Sequence, residues 1–290
     1  MTSLLSRDLK VKRRRQPWTL KRAGGRATFW VFTALLIAFF VTPLLWLVFA
    51  PFDLQPTLTV KLPSPTFNNF REMAANPYAI HSLLNSILFS TGTALVVLFI
   101  GAPASYALSR VKFVGRDVFL YILLLFSSVV TGTAAMVPIF LLALKLGLIN
   151  TFYGVILVMA GGLLPAAIFI LKDFTDSTPK SYEESARIFG ASSFQILRHI
   201  VVPIIRPGLA VIFVWAYVGA WGDFLVPFLL MRTPEGSPAA VLMYSFYTEG
   251  GQAVLRTIAA FAFLYTLPVV VMYLYVNKRY GFRFYGGIKG

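Results

Sequence analysis

A chain of 290 residues with 58 % hydrophobic and only 13 % charged residues, at a mean hydropathy of +0.75, carries far more apolar surface than a soluble core needs and reads as a membrane protein. Its formal charge of +15 raises the possibility of nucleic acid, but no aromatic-rich soluble module accompanies the basic residues, which argues against that partner. With no cysteine in the chain, a disulfide framework, a thiolate metal site and a thiol nucleophile are all excluded.

From the N-terminus, residues 1–27 form a basic tail whose run Lys12-Arg13-Arg14-Arg15 suits anionic lipid headgroups and an orientation signal. Apolar runs near the roughly 20 residues that span a bilayer then predict six helices at about 28–50, 84–107, 118–142, 151–172, 208–231 and 254–276, an all-α membrane protein. The first run is too long for a signal-peptide core and lacks an evident small-residue cleavage site, so it is expected to be retained. Segments 1–27, 108–117, 172–207 and 277–290 hold nine, three, five and four Lys or Arg residues, 21 of the 26 in the chain. Positive residues mark the cytoplasmic side, so both termini and the loop around Glu184 are expected there.

Between the first two runs, residues 51–83 contain Pro51, Pro56, Pro63, Pro65 and Pro77, which forbid a long helix and predict an extended extracytoplasmic loop. His81 near the membrane boundary and His199 in the 173–207 loop have no partner cluster, so no metal site is expected. The third run carries Gly132 and Pro138. In the fourth, Gly161, Gly162 and Pro165, and in the fifth, Gly219, Gly222 and Pro227, permit close helix contact and local unwinding. Trp215, Tyr217, Trp221 and Asp223 make the fifth run the candidate lining of a translocation pathway. Aromatic faces stack on sugar rings and a carboxylate takes hydroxyls, although interface aromatics and a packing hydrogen bond are the plainer reading. Loop 232–253 surrounds the amphipathic segment 240–247 with Pro234, Gly236, Pro238, Gly250 and Gly251, a surface able to meet an extracytoplasmic delivery protein.

One polar island interrupts the apolar pattern, residues 181–203. Ser181 with Glu184 three residues on reads as a capping box that starts a helix. Tyr182, Ala186 and Phe189 fall on one face of it, and Gly190 sits where a left-handed residue would end it. Ser192 and Gln195 repeat the start signal. Two short helices with a glycine elbow are expected, too polar to span a bilayer.

This island resembles the signature loop of the permease subunits of binding-protein-dependent ABC importers, Glu-Ala-Ala, three residues, Gly, nine residues, Ile, one residue, Leu-Pro. Glu184-Ser185-Ala186, Gly190 and Ile200-Val-Val-Pro203 match it without a gap, with Ser185 for the first Ala, Val202 for Leu, and Phe189 where an aspartate is common. Further stretches resemble the carbohydrate, maltose-system-like branch: Thr66–Phe70, Asn85-Ser86, Ala104–Arg110, Gly147–Gly154 and the glycine-lysine tail 284–290. The resemblance covers about 66–290. It implies the type I ABC importer fold, with a permease core over 84–276 and a cytoplasmic C-terminal tail at 277–290. It also implies a coupling helix in loop 173–207 that docks on a cytoplasmic ATPase, placing the contact on Glu183, Glu184, Ser185, Ala186, Phe189, Gly190 and Pro203. The partners it implies are a second homologous permease, two ATP-binding cassette subunits that use ATP and Mg, and an extracytoplasmic solute-binding protein, in a bacterial inner membrane. The substrate it implies is an oligosaccharide or related sugar, with another solute such as a glycerol phosphodiester, polyamine or amino acid as the same-fold alternative.

The chain has no Gly-x-x-x-x-Gly-Lys-Ser/Thr phosphate loop, so no ATP-binding or other cofactor is expected on it and its energy has to come from a partner. An intramembrane enzyme or a proton-coupled carrier would need clustered acids, histidines or metal ligands at membrane depth, where Asp223 stands alone.

Overall fold

The computed structural model describes residues 20–111, 114–130, 133–247 and 254–280. Among them the ordered elements are helices: α1 (Leu20–Phe49), α2 (Asn68–Ala74), α3 (Ala79–Arg110), α4 (Arg116–Val130), α5 (Met136–Lys145), α6 (Phe152–Asp176), α7 (Lys180–Ile188), α8 (Ser193–Ile196), α9 (Val202–Ile204), α10 (Arg206–Trp221), α11 (Leu225–Leu230), α12 (Ala239–Leu242) and α13 (Leu255–Tyr280). The basic run at 12–15, Gly132, Gly250, Gly251 and the tail 284–290 lie outside the described residues.

Among the described residues four helices are long and apolar enough to cross a bilayer, Thr28–Phe52, Ala79–Arg110, Phe152–Asp176 and Leu255–Arg279, or five if the bent pair Ser193–Ile204 and Arg206–Trp221 is one span. The third predicted run is divided between α4 and α5 by a 3-10 turn at Thr133–Ala135. The fifth is broken as well, with α10 ending at Trp221 and α11 starting at Leu225. The expected unwinding at Gly161, Gly162 and Pro165 does not occur, since α6 runs unbroken through all three. A proline removes only one backbone bond, and packed neighbours hold the helix across it.

The core is the contact of α3, α6 and α10, where Ala94, Val97, Ala160, Ala167, Leu171, Ile212 and Ala216 are buried together. Small residues let the backbones approach where lipid gives no hydrophobic drive between helices. Gly208 of α10 is one close approach to α6, because a Cβ there would lie 2.5 Å from the ring of Phe174. The buried serines of α3 add no unmet polarity where they bond back to their own helix, as Ser82 does to Ala79 O at 2.8 Å and Ser105 to Ala102 O at 2.9 Å. By contrast, none of the apolar window of α1 is buried, which leaves it to lipid or another subunit.

The segment after α1 is more structured than an extended loop. A 3-10 turn at Ala50–Phe52, an isolated bridge between Asp53 and Pro65, and α2 precede α3. Helix α3 starts at Ala79, so Asn85-Ser86 lies inside it rather than at its start. Phe52, Phe67 and Phe70 pack edge-on or tilted around Phe263 of α13 with centroid distances of 5.3 to 6.3 Å. The bundle therefore has two distinct ends, one bearing α2 and α12, the other bearing α7 to α9.

Candidate coupling site and membrane cavity

Helix α7 begins at Lys180, with Pro179 as its cap residue and no side-chain cap. The capping box expected of Ser181 and Glu184 does not form. Pro179, with φ fixed at −60° and an extended ψ, takes the N-cap position instead, which starts α7 two residues early and moves Ser181 into the first turn. Its C-terminus follows the sequence more closely. Gly190 holds φ +84°, its N–H bonds Arg187 O at 2.9 Å, and the Ala191 N–H bonds Ala186 O at 3.0 Å, a complete Schellman closure. Ser192 and Gln195 then form a reciprocal capping box at α8.

The carboxylate that holds α7 in place is Glu183, not Glu184. Glu183 is buried, whereas Glu184 and Ser185 are exposed. Its Oε1 accepts from Arg110 Nε at 2.7 Å and Nη2 at 2.6 Å, and its Oε2 accepts from Tyr106 OH at 3.0 Å. The two charged side chains are only 9 % and 4 % exposed. Arg110 Nη2 also reaches the carbonyls of Thr175 and Thr178 at 3.1 Å each, and Nη1 reaches Ser109 Oγ at 2.9 Å. Ser109 in turn donates to Asp176, which pairs with Lys172 at 2.6 Å. Isolated carboxylate burial is costly, and this one is tolerated because both oxygens are bonded and the charge is matched.

Beside that network Ala186 packs half-buried on Tyr106, Ile196, Val201 and Ile205. Tyr182 and Phe189 do not share its burial. Ile188 and Phe189 are 83 % and 91 % exposed, and Phe194 is exposed next to them. Together they leave an exposed apolar knob on the helix elbow.

Pro203, half-buried, lies where the second short helix turns into the membrane. It lacks the N–H that would bond residue 199, and the preceding turn widens to a π-helix over Leu197–Val201, with the Val202 N–H reaching Leu197 O. Ser193–Ile204 then meets Arg206–Trp221 at 79°, with Pro207 removing a second donor at the bend.

The four pathway candidates do not share one surface. Trp215 is partly exposed on the outside of α10. Tyr217 and Trp221 are buried, stacked on each other at 5.6 Å, with Trp221 stacked on Tyr265 at 5.1 Å. Only Asp223 lines the cavity beside the helix break, a space of about 80 Å³ bounded also by Met136, Met159, Gly162, Gly219 and Val226. The break satisfies its own orphaned groups. Tyr265 OH donates to the free carbonyl of Trp221 at 2.6 Å, and Asp223 Oδ1 accepts from Val226 N at 3.1 Å, capping α11. Trp221 Nε1 has no partner.

Sequence reasoning missed Arg110, Tyr106 and Tyr265. Tyr106 and Arg110 were visible only inside the family-like stretch Ala104–Arg110, and Arg110 also as one of the basic residues that set orientation, neither of which pointed to Glu183. His81 and His199 are exposed, and no group of three metal-ligating side chains occurs among the described residues.

Long apolar helices closed at one end by a moored, polar helix elbow define a multi-pass membrane protein of a transport system. The chain belongs to the family of binding-protein-dependent transport system inner membrane components, whose sequence model matches residues 20–281. It is 33 % identical over 264 residues to the galactooligosaccharides transport system permease protein GanQ of Bacillus subtilis (86 % of this chain, 92 % of that protein). It is 32 % identical over 262 residues to the trehalose transport system permease protein SugB of Mycobacterium tuberculosis (88 % and 94 %). Its fold matches a chain of a bacterial ABC transporter involved in import of the acidic polysaccharide alginate, at a TM-score of 0.77 and 21 % identity over 91 % of this chain and 99 % of that one.

Proposed function

We propose that the chain is the permease subunit of an ATP-driven importer that moves an oligosaccharide or related sugar, delivered by an extracytoplasmic binding protein, across the inner membrane. The observation that carries this is the α7 elbow. It presents an exposed apolar knob while its inner face is fixed to the ends of two membrane helices. That is what a coupling element requires, a face for the partner and a rigid link behind it. The sugar assignment is supported by relatives whose names specify galactooligosaccharides, trehalose and maltodextrin. A second crystal structure of similar fold, at a TM-score of 0.63, holds an alginate pentasaccharide-bound periplasmic protein.

In this reading α1, α3, α4 with α5, α6, α10 with α11, and α13 are six spans, and both termini and α7 face the cytoplasm. The chain pairs with a homologous permease and with two ATPase subunits that bind ATP and Mg. Closure of the ATPases displaces α7 and rocks the bundle between inward-facing and outward-facing states. Asp223 and the break beside it are the part of the pathway this chain contributes. The buried indole N–H of Trp221, unpaired here, supports a state in which it meets a hydroxyl or water, since an unmet buried donor costs about 1–3 kcal/mol.

Proteoliposomes carrying the full complex test the function directly. Uptake of one of these sugars should require the binding protein and fall to background when the ATPase phosphate-loop lysine is replaced. Uptake that persists with the lysine replaced would identify a secondary carrier, and uptake of amino acids or polyamines alone would reject the sugar. A tag after Lys180 should be cytoplasmic and one after Gly236 extracytoplasmic.

A further inference from the structure

The guanidinium of Arg110 is divided between two kinds of acceptor, and only one of them is the carboxylate of Glu183. While Nε and Nη2 hold that carboxylate, Nη2 also meets Thr175 O in the last turn of α6 and Thr178 O in the turn leading to α7. Arg110 itself closes α3. One side chain thus fastens three elements where they converge. The planar fork of an arginine can serve a carboxylate and carbonyls together, which a lysine, a single point charge, cannot. The pair is buried, so salt does not screen it as it would a surface pair.

We propose that Arg110 is a positioning residue that makes α3, α6 and α7 one rigid body, so that a push on α7 moves two membrane helices instead of folding the short turn 177–179. This rests on the docking role given to α7 above. Without Arg110 that turn is the natural hinge, since the bonds that brace it are short-range ones to α6, such as Thr178 N to Thr175 O at 3.0 Å and Ser177 Oγ to Phe174 O at 2.7 Å. The serine-mediated contact from Ser109 to Asp176 is a second, parallel tie between α3 and α6. The same geometry predicts that the ion pair is not reversible. A glutamate at 110 would face two carbonyl oxygens, so exchanging the charges in R110E/E183R should not restore function.

Because the chain has no cysteine, Val111→Cys and Ser181→Cys, both exposed positions outside the apolar knob, can carry spin labels in the assembled complex. Their separation should stay fixed between nucleotide-free and nucleotide-trapped states, within the roughly 2 Å of an ordinary helix shift. Arg110→Lys should broaden or change that separation and lower the solute moved per ATP hydrolysed by about tenfold or more, the factor for one strong contact. In that variant Ser185→Cys, at an exposed position of α7, should still crosslink to the ATPase. A larger change of separation with Arg110 intact overturns the joint, as does Arg110→Lys with normal coupling. Absence of the Ser185→Cys crosslink with Arg110 intact overturns the docking role and the joint with it, whereas a crosslink together with a variable separation overturns only the joint.

Discussion

The two ends of the bundle are closed by different chemistry. At the α7 end, a buried guanidinium and carboxylate bind α3, α6 and α7, backed by the Lys172–Asp176 pair. At the α2 end, most ties between elements are neutral side chains reaching backbone, beside an exposed Arg256–Glu72 pair at 3.7 Å and the Lys61–Asp53 pair inside the α1–α2 loop. Asn85 Nδ2 donates to the carbonyls of Glu235 and Ser237 at 2.8 and 3.2 Å, and Ser86 Oγ accepts from Ala239 N at 2.9 Å. Asn150, at φ +58°, accepts from Arg232 N and Thr233 Oγ1 at 3.1 and 3.2 Å. Charge-assisted bonds are about twice as strong as neutral ones, and a buried charge cannot be abandoned without a large penalty. Several neutral bonds, some of them exposed, are instead exchanged readily for water. Under the proposed function, the end that carries the buried charged joint is the one that transmits force.

The comparison breaks most visibly at the charged end. Arg110→Met leaves Glu183 buried without a counter-charge and should cost about 3–5 kcal/mol. A fall in the thermal midpoint of the purified complex, together with poor assembly, would be the readout. A midpoint unchanged from the unaltered complex would show that water reaches this site and that the two ends do not differ. At the other end, Asn69 is buried and its amide bridges Pro51 O at 2.9 Å and Asp53 O at 2.8 Å. Asn69→Leu strands both carbonyls and should cost about 1–3 kcal/mol, less than Arg110→Met in the same melting experiment. The reverse order of the two midpoints would contradict the division of labour.

How much of this was legible in the chain depends on sequence distance. Gly190 and the Ser192–Gln195 box were readable because their bonds close within a few residues. The Ser181–Glu184 box was misread because Pro179 offers the helix an earlier entry, a competition between two valid start signals. Arg110 and Glu183 are 73 residues apart, and nothing local distinguishes Glu183 from its neighbour Glu184 until α3 is placed against α7. In the fifth span Gly222 and Pro227 announced a break, but not that Tyr265, 44 residues on, would satisfy the carbonyl freed at Trp221. That same partner is why Tyr217 and Trp221 turn towards α13 and leave Asp223 alone at the cavity.

Function and stability should separate at the elbow. A Cβ at Gly190 meets no atom within 4 Å, yet φ is +84°, so Gly190→Val is limited by backbone conformation alone and should cost about 1–2 kcal/mol. Assembly should survive while α7 is misdirected. Glu184→Lys alters an exposed charge, and its stability effect should be smaller still. Both variants should nevertheless lose substrate-stimulated ATP hydrolysis and uptake together. If both transport normally, the elbow is not the transmission element.

The smallest expected effect lies in the loop between α1 and α2 and depends on pH. Asp53 is buried, and its carboxyl is held below the usual carboxylate range, first by the hydrogen bond from Lys61, against a desolvation effect, and then by the amides of Ser64 and Gln55. Lys61 Nζ lies 2.8 Å from Asp53 Oδ2, and Ser64 N donates to Oδ1 at 3.2 Å. A depressed folded-state pKa means that the unfolded loop binds the proton first as acid is added. The contribution is therefore complete at neutral pH, starts to weaken near the ordinary carboxylate value of about 3.9, and is gone once the folded-state value is passed. Protease sensitivity of segment 54–63 in the assembled complex should be flat from neutral to mildly acidic pH and rise only in strong acid. In Asp53→Asn the rise should vanish, because the amide keeps an oxygen for Ser64 N but no longer titrates. A rise near neutral pH would implicate a different group and would remove Asp53 from the account of how this end is held.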